Sequence, residues 1–319
     1  MKNTEIYNEL VQKMREFFLA KNFKEVPTQS RLSILAACEN PHSVKTFEYG
    51  GLIWPLPQTG QMWLEHELLK NPEWEGVFCI STSYREEKDP IPGRHELIFP
   101  MFEFESKGGM KELIKLEGDL LAYLGFADEP YEVTYDDVCE EYGGVSILED
   151  EHETRMWKEK GSVVSLQYFP LRTNPFWNMK QNASGNGIFN KVDVILYGQE
   201  TIGSAERSCD VQEMRHNFYN IEGGAYCEKL FELFGKERVE KELDSSKDRK
   251  LSQLKKSILG NYKKYGSIDE RVITDPKLKE WWDDLLPKVS LRESPNVPSS
   301  PSPSPSYKTI IKDKATKVA

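Results

Sequence analysis

The sequence predicts an α+β fold, a mixed and mainly antiparallel sheet flanked by helices. Three observations predict it. Stretches with apolar residues three and four apart alternate with stretches rich in β-branched and aromatic residues. Two of the β-rich regions fold back on themselves, "TFEYGGLIWPLP" around Gly50-Gly51 and the segment from Cys79 to Glu105 around a charged loop with two prolines. The chain has 319 residues, 38% apolar and 11% aromatic, enough to bury a sizeable core.

The elements follow in order. "IYNELVQKMREFFLAKNF" places Ile6, Leu10, Met14, Phe17 and Phe18 on one helical face. "FKEVPTQSRLSI" reads as an extended segment, and the Gly50-Gly51 hairpin comes next. "MWLEHELLKN" is a short helix stopped by Asn71-Pro72. After the strand–loop–strand of residues 79–105, "MKELIKLEGDLLAYLGF" and "YDDVCEEYG" read as helices. "KGSVVSLQYFP" and "KVDVILYGQETIG" are β-rich, and "EGGAYCEKLFELFGKERVEKEL" is helical with a break at Gly235. Past Leu243 the composition turns polar and basic, with "LKEWWDDLL" a short amphipathic piece. The expected organisation is therefore a core over 1–244, a polar helical extension over 245–294, and a Ser/Pro-rich tail over 295–319. That tail has too little apolar surface to offset its ordering entropy and is expected to be disordered.

Charge and cysteine usage narrow the class. The net charge of −10 combines −17 over residues 1–246 with +7 over the remainder. An acidic body is a poor general binder of polyanionic nucleic acid. The five cysteines, at 38, 79, 139, 209 and 227, form no CxxC pair, which argues for reduced thiols and against a zinc site. With no signal peptide and no apolar run near 18 residues, a soluble cytoplasmic protein is expected.

The chemistry concentrates in the second hairpin, "CISTSYREEKDPIPGRHELIFPMFEFE". Arg85 ends a strand, a rigid mount for a fork that binds phosphate oxygens. Glu87 points to the same face, where a carboxylate could accept from an adenine amino group. Arg94 and His95 lie across the loop, where they could close over outer phosphates. Phe99 on the returning strand offers a face for a purine. On composition alone the same residues also fit an exposed hairpin with surface ion pairs, each worth about 0–1 kcal/mol.

The order of these residues resembles motif 2 of the class II aminoacyl-tRNA synthetases, in the aspartyl/asparaginyl/lysyl branch. The resemblance implies that Arg85 binds the ATP α-phosphate, Glu87 the adenine amino group, Arg94 and His95 the β/γ-phosphates, and that Phe99 stacks on adenine. Ile98 stands where the family usually has Glu. Three further segments fall in the family's order. "LPQTGQMWLEHELL" resembles the segment that reads the amino acid, with Gln61 at the Gln position and a Gly60-Gln61 pair of asparaginyl character. "YFPLRTNPFWNMK" resembles the strand and loop ending in Phe-Tyr-Met. "DVILYGQETIGSAERSCD" resembles the Gly-x-Glu…Gly-Gly-Ser-x-Arg strand, which implies Mg²⁺ on Glu200, backbone approach at Gly203 and Ser204, and an amino-acid side chain on Arg207.

The family reaction is adenylate formation from ATP, Mg²⁺ and an amino acid, here asparagine or aspartate, with Arg85 and Glu200 as the catalytic residues. The resemblance implies tRNA as a possible acceptor and no membrane partner. A homodimer is implied through "NFKEVPTQSRL", the motif 1 counterpart, in which Gln29 holds the expected proline position. Neither an anticodon-binding OB domain nor the Gly-rich strand and Arg-headed helix of motif 3 is recognisable in the sequence. Two alternatives share the resemblance: an aspartate–ammonia ligase of the asparagine synthetase A type, and a non-catalytic synthetase paralogue.

Overall fold

The computed structural model describes residues 4–29, 32–36, 40–92, 95–126, 129–244 and 276–290. Arg94, Cys38 and the Ser/Pro-rich tail lie outside the described residues. The chain divides into two compact units, Met1–Leu278 and Lys279–Ala319. In the second unit the described residues are helical through Ser290, and Trp281 and Trp282 lie 6.1 Å apart at 47°.

The first unit holds two main sheets. Helix α1 (Thr4–Ala20) leads into the short strand β1 (Lys24–Glu25), which runs parallel to β4 (Gly76–Tyr84). β4 pairs antiparallel with β5 (Ile98–Ser106) in unbroken register from Gly76↔Ser106 to Tyr84↔Ile98, giving the order β1-β4-β5. The second sheet has the order β6-β7-β8-β9, from Tyr131–Thr134, Val163–Pro170, Ile188–Leu196 and Gln199–Ala205. Only its β6–β7 pair is parallel. The architecture is mixed and mainly antiparallel, as the alternation of patterns predicts.

A small hairpin joins β2 (Thr46–Tyr49) to β3 (Leu52–Pro55). Its turn puts Gly50 at φ 62° and Gly51 at φ 74°, left-handed at both central positions. A two-residue loop of that kind matches the twist of the flanking strands, and glycine adopts it without steric cost.

Helix α2 (Gln61–Lys70) follows, with its Asn71 cap returning a backbone bond to Glu67. Helices α3 (Met110–Leu124) and α4 (Tyr135–Glu141) stand where the periodicity places them, and α7 (Ala225–Phe234) ends at Gly235 before residues 236–244 resume as helix. Two further helices stand outside the segments read as helical in the sequence. α5 (Asp150–Lys160) is almost wholly charged and buries only Met156. α6 (Val211–Asn220) is fixed by Asp210, whose carboxylate accepts from the Gln212 and Glu213 amides. The expected extended run after α1 is limited to Lys24–Glu25, followed by a 3₁₀ turn at Ile34–Ala36.

Aromatic packing fixes β5 against α1. Phe18 is fully buried, and its ring lies 5.0–5.7 Å from those of Phe23, Phe78, Phe102 and Phe104. The buried face of α1 is Val11, Phe17 and Phe18. Ile6 and Leu10, expected on that face, are 62% and 41% exposed because the core reaches only the C-terminal half of the helix. Phe18→Ala would leave a large cavity beneath β5. It should lower stability by about 3–5 kcal/mol in urea denaturation. A loss below 1 kcal/mol would show that this cluster does not hold the hairpin.

Candidate active site

The β4–β5 hairpin carries one end of the site. Beyond the last paired residues the Arg85 N–H donates to Leu97 O at 2.8 Å, which prolongs the hairpin into the loop. The Arg85 guanidinium lies 5.7 Å from the centroid of the Phe99 ring, an arrangement attractive to the ring's negative face. Glu87 is half-buried and His95 exposed. His95 is folded back on its loop, its amide donating to Ile91 O at 2.9 Å and its Nδ1 accepting from the Ile91 amide at 3.2 Å. Ile98, at the position expected to hold Glu, is 61% exposed.

Side chains alternate along β5. Phe102 and Phe104 turn into the aromatic core, and Glu103 and Glu105 turn to the opposite face. Glu103 is 6% exposed and accepts from the Gly60 amide at 2.8 Å and from the hydroxyls of Thr59 and Ser81. These bonds tie the start of α2, and hence Gln61, to the hairpin. Glu105 accepts from Arg207 Nε at 3.3 Å. Arg207 also donates to Asn178 Oδ1 at 3.3 Å and to Gln61 Oε1. Asn178 is buried on the segment after β7, where Met179 bridges to Arg207.

The β8–β9 hairpin brings in the remaining residues. Asp193 faces Gly203 across the ladder, and a bulge after Val194 sets Glu200 opposite Ile195. A Cβ added to Gly203 would lie 2.9 Å from Glu200 Oε1 and 3.4 Å from Asp193 Oδ1, so this glycine leaves room between two carboxylates. Asp193 is buried. Its Oδ2 is paired with Lys191, and its Oδ1 has no hydrogen-bond partner. Burial pushes its carboxyl well above the usual range. The Ser204 hydroxyl donates to Glu117 of α3 at 2.5 Å, so its side chain is engaged beneath the sheet and its backbone is the part available to a ligand.

One cavity of about 920 Å³ is lined by Gln61, Arg85, Glu87, His95 and Phe99, and also by Glu200, Ser204 and Arg207. All the described residues singled out in the sequence thus meet in one place. Glu103, Glu105, Asn178, Asp193 and Glu117 were not singled out. Asp193 had a readable signal: seven residues before Glu200 on a hairpin, it returns to the same face. The others depend on which elements pack together, which no local pattern encodes.

The cavity suits hard cations held jointly with a ligand. Glu200 offers a carboxylate to it while Asp193 stays buried beside Gly203, and among the described residues no group of three or more metal-binding side chains exists. Mg²⁺ is commonly held by one or two carboxylates plus phosphate oxygens, so this donor set fits Mg²⁺ arriving with a nucleotide.

Known proteins share the fold that carries this cavity. The family model of class II tRNA synthetases (D, K and N) matches residues 1–235. The fold is similar to asparaginyl-tRNA synthetase from Pyrococcus horikoshii complexed with asparaginyl-adenylate, with a TM-score of 0.63 at 18% identity over 76% of this chain and 59% of that one. The Entamoeba histolytica asparaginyl-tRNA synthetase, also in complex with asparaginyl-adenylate, gives 0.56 at 17% identity over 75% and 63%. A putative aspartyl-tRNA synthetase from Leishmania major Friedlin gives 0.57 at 14% over 75% and 56%. This chain therefore spans less than two thirds of the length of these relatives, and at such identities the likeness is one of fold. No curated protein matches the sequence. No described helix is long and apolar enough to cross a membrane.

Glu117 gives the site a pH signature. Burial is the main cause that raises its carboxyl from the ordinary 4.5 to about 8; the bond from Ser204 opposes the shift and Asp193 adds to it. The folded state therefore keeps a proton that the unfolded chain releases above about pH 4.5. Stability associated with this group is complete below that value and is lost as pH rises through about 8. Glu117→Gln should remove this slope, so that the variant loses less stability than the parent between pH 5 and pH 8. Parallel slopes in urea titrations at the two pH values would show that Glu117 is not held neutral.

Proposed function

The chain belongs to the class II tRNA synthetases of the D, K and N type, and on that premise we propose that it activates asparagine with ATP as asparaginyl-adenylate. One observation carries the reading. Arg207, Glu105 and Gln61 are bonded together at one end of the same cavity that holds Arg85 and Phe99 at the other. A guanidinium beside a carboxylate is complementary to a primary amide. Arg207 can donate to the amide oxygen while Glu105 accepts from the amide nitrogen. An aspartate carboxylate would meet Glu105 as a like charge at a site where both partners are only 12–13% exposed. The asparaginyl-adenylate complexes of the two asparaginyl enzymes support the same choice.

In this reading adenine lies on Phe99 with Glu87 accepting from its amino group, and His95 and Arg94 approach the outer phosphates. An oxygen of the asparagine α-carboxylate attacks the α-phosphorus. The bond from that phosphorus to the bridging oxygen breaks, and pyrophosphate leaves. Arg85 offsets the charge that develops on the α-phosphate oxygens. Gln61 and the backbone at Gly203 and Ser204 hold the amino acid for in-line attack, so most of the acceleration is positional. Glu200 would hold Mg²⁺, which when bound neutralises phosphate charge. Transfer of the asparaginyl group to tRNA, and a homodimer covering the exposed Ile6, Leu10 and Leu19 of α1, complete the proposal.

Arg207→Ala should abolish asparagine-dependent ATP–pyrophosphate exchange, because Glu105 then stays buried without its cation. ATP binding measured by calorimetry should change less than about threefold, a fraction of the tenfold that 1.4 kcal/mol represents. Equal loss of asparagine and ATP binding, or exchange driven better by aspartate in the parent chain, would overturn the assignment.

A further inference from the structure

Four consecutive residues, 58–61, reach different walls of the site. Gln61 bonds Arg207, and Thr59 with the Gly60 amide bonds Glu103. Gln58 serves neither. It is buried at 0% exposure and lies off the cavity lining. Its side-chain amide is committed to one turn. Oε1 accepts from the Asn40 amide at 3.2 Å, and Nε2 donates to Asn40 O at 3.1 Å and to Ser43 Oγ at 2.9 Å. Asn40 in its place caps the 3₁₀ turn Pro41–Ser43, its Oδ1 accepting from the His42 amide at 3.0 Å. A buried amide left unbonded is costly, so three bonds from one side chain fix where this turn sits.

The same turn holds the end of β4. The Ser43 carbonyl accepts from the Glu86 amide at 3.0 Å, and Pro57 O, next to Gln58 in the chain, accepts from the Tyr84 amide at 3.0 Å. Lys45 adds an ion pair with the Glu86 carboxylate at 2.5 Å on the exposed side. The amides of Tyr84 and Glu86 thus face this brace, while the Arg85 amide between them faces Leu97 O at 2.8 Å. Side chains alternate as well. Arg85 and Glu87 line the cavity, and Glu86 does not. The backbone of Glu86 is therefore the joint between the residues assigned above to the α-phosphate and to adenine, and Ser43 sets its position. Groups of that kind work only when held to a fraction of an ångström; a displacement of about 1 Å can cost about a hundredfold in rate.

We propose that Gln58 is a positioning residue for the nucleotide. It touches no substrate, and through the Asn40–Ser43 turn it sets the Glu86 backbone and so the places of Arg85 and Glu87. The proposal rests on the nucleotide reading above. It also divides the site. Gln58 is three residues from Gln61, yet its loss should be felt at the ATP end, because Thr59 and Gly60 anchor the amino-acid end separately on Glu103.

Gln58→Met keeps the length of the side chain and removes all three bonds. In the full 319-residue chain the Glu86 amide should then exchange faster with solvent hydrogen, while the Arg85 amide keeps its protection. Calorimetry should show Mg-ATP binding weakened at least about tenfold, the effect of losing one charge-assisted bond, and asparagine binding changed less than about threefold. The preference for ATP over inosine triphosphate, which carries a carbonyl in place of the adenine amino group, should shrink, because Glu87 reads that amino group. A merely structural loss would leave this preference unchanged. Ser43→Ala removes one of the three bonds. It should give the same pattern at a few-fold size, and it is the variant to read if Gln58→Met does not fold. Unchanged exchange at Glu86, equal loss of asparagine and ATP binding, or an unaltered nucleotide preference would overturn the positioning role. Faster exchange at Glu86 in a protein whose parent binds no ATP would uphold the brace and overturn the nucleotide reading.

Discussion

The arrangement of the site depends on one buried carboxylate. Glu103 sits on β5 at 6% exposure and gathers the Gly60 amide with the hydroxyls of Thr59 and Ser81. A carboxylate so buried is tolerated only when its lone pairs are filled, and the partners that fill them come from a different stretch of chain. Gly60 is the residue before α2, and Gln61 is the first in it. A side chain at Gly60 would collide with Thr28 at 2.9 Å and Glu103 at 3.1 Å, so the turn must carry glycine there. The hydrogen bonds and the close approach together fix where Gln61 stands relative to the hairpin that bears Arg85 and Phe99.

A second constraint follows from charge. Arg207 reaches its site from the end of β9 and is met by Glu105, Asn178 and Gln61. These partners hold the guanidinium in one orientation before any ligand arrives, so little ordering remains to be done on binding. Elsewhere beneath the cavity the cost of burial falls on Asp193 and Glu117. Both are buried and both have raised carboxyl pKa values with burial as the first cause; Asp193 also raises Glu117, and Glu200 raises Asp193. Perturbed carboxyls clustered beneath a cavity are a frequent mark of functional sites, and here both adjoin β9, Glu117 of α3 through Ser204 and Asp193 of β8 across from Gly203.

Much of this was legible in the sequence. The hairpins at Gly50-Gly51 and at 79–105, the helices from Met110 and Ala225, and the break at Gly235 all announce themselves through local chemistry: turn glycines, alternation, or apolar residues on one face. So did the residues that line the cavity, because their types and order along the chain were distinctive. What was not legible needed the third dimension. α5 is helical although its sequence is nearly all charged, and its place is set by packing of Met156 and by Glu153 at the β9 edge. Ile6 and Leu10 fit the helical period as well as Phe18 does, yet lie beyond the reach of the core. Glu103 and Glu105 read as ordinary polar positions of a half-exposed strand until α2 and Arg207 are seen against them.

The division into two sheets bears on how the cavity could bind a nucleotide. Carboxylates outnumber guanidiniums along its described lining, and a triphosphate placed there would be repelled by most of what it meets. The positive groups stand at the ends, Arg85 beside Phe99 and Arg207 beside Glu105. They mark where an α-phosphate and an amide would rest, and they leave the length between them negative. Mg²⁺ on Glu200 would offset part of that charge, at one point.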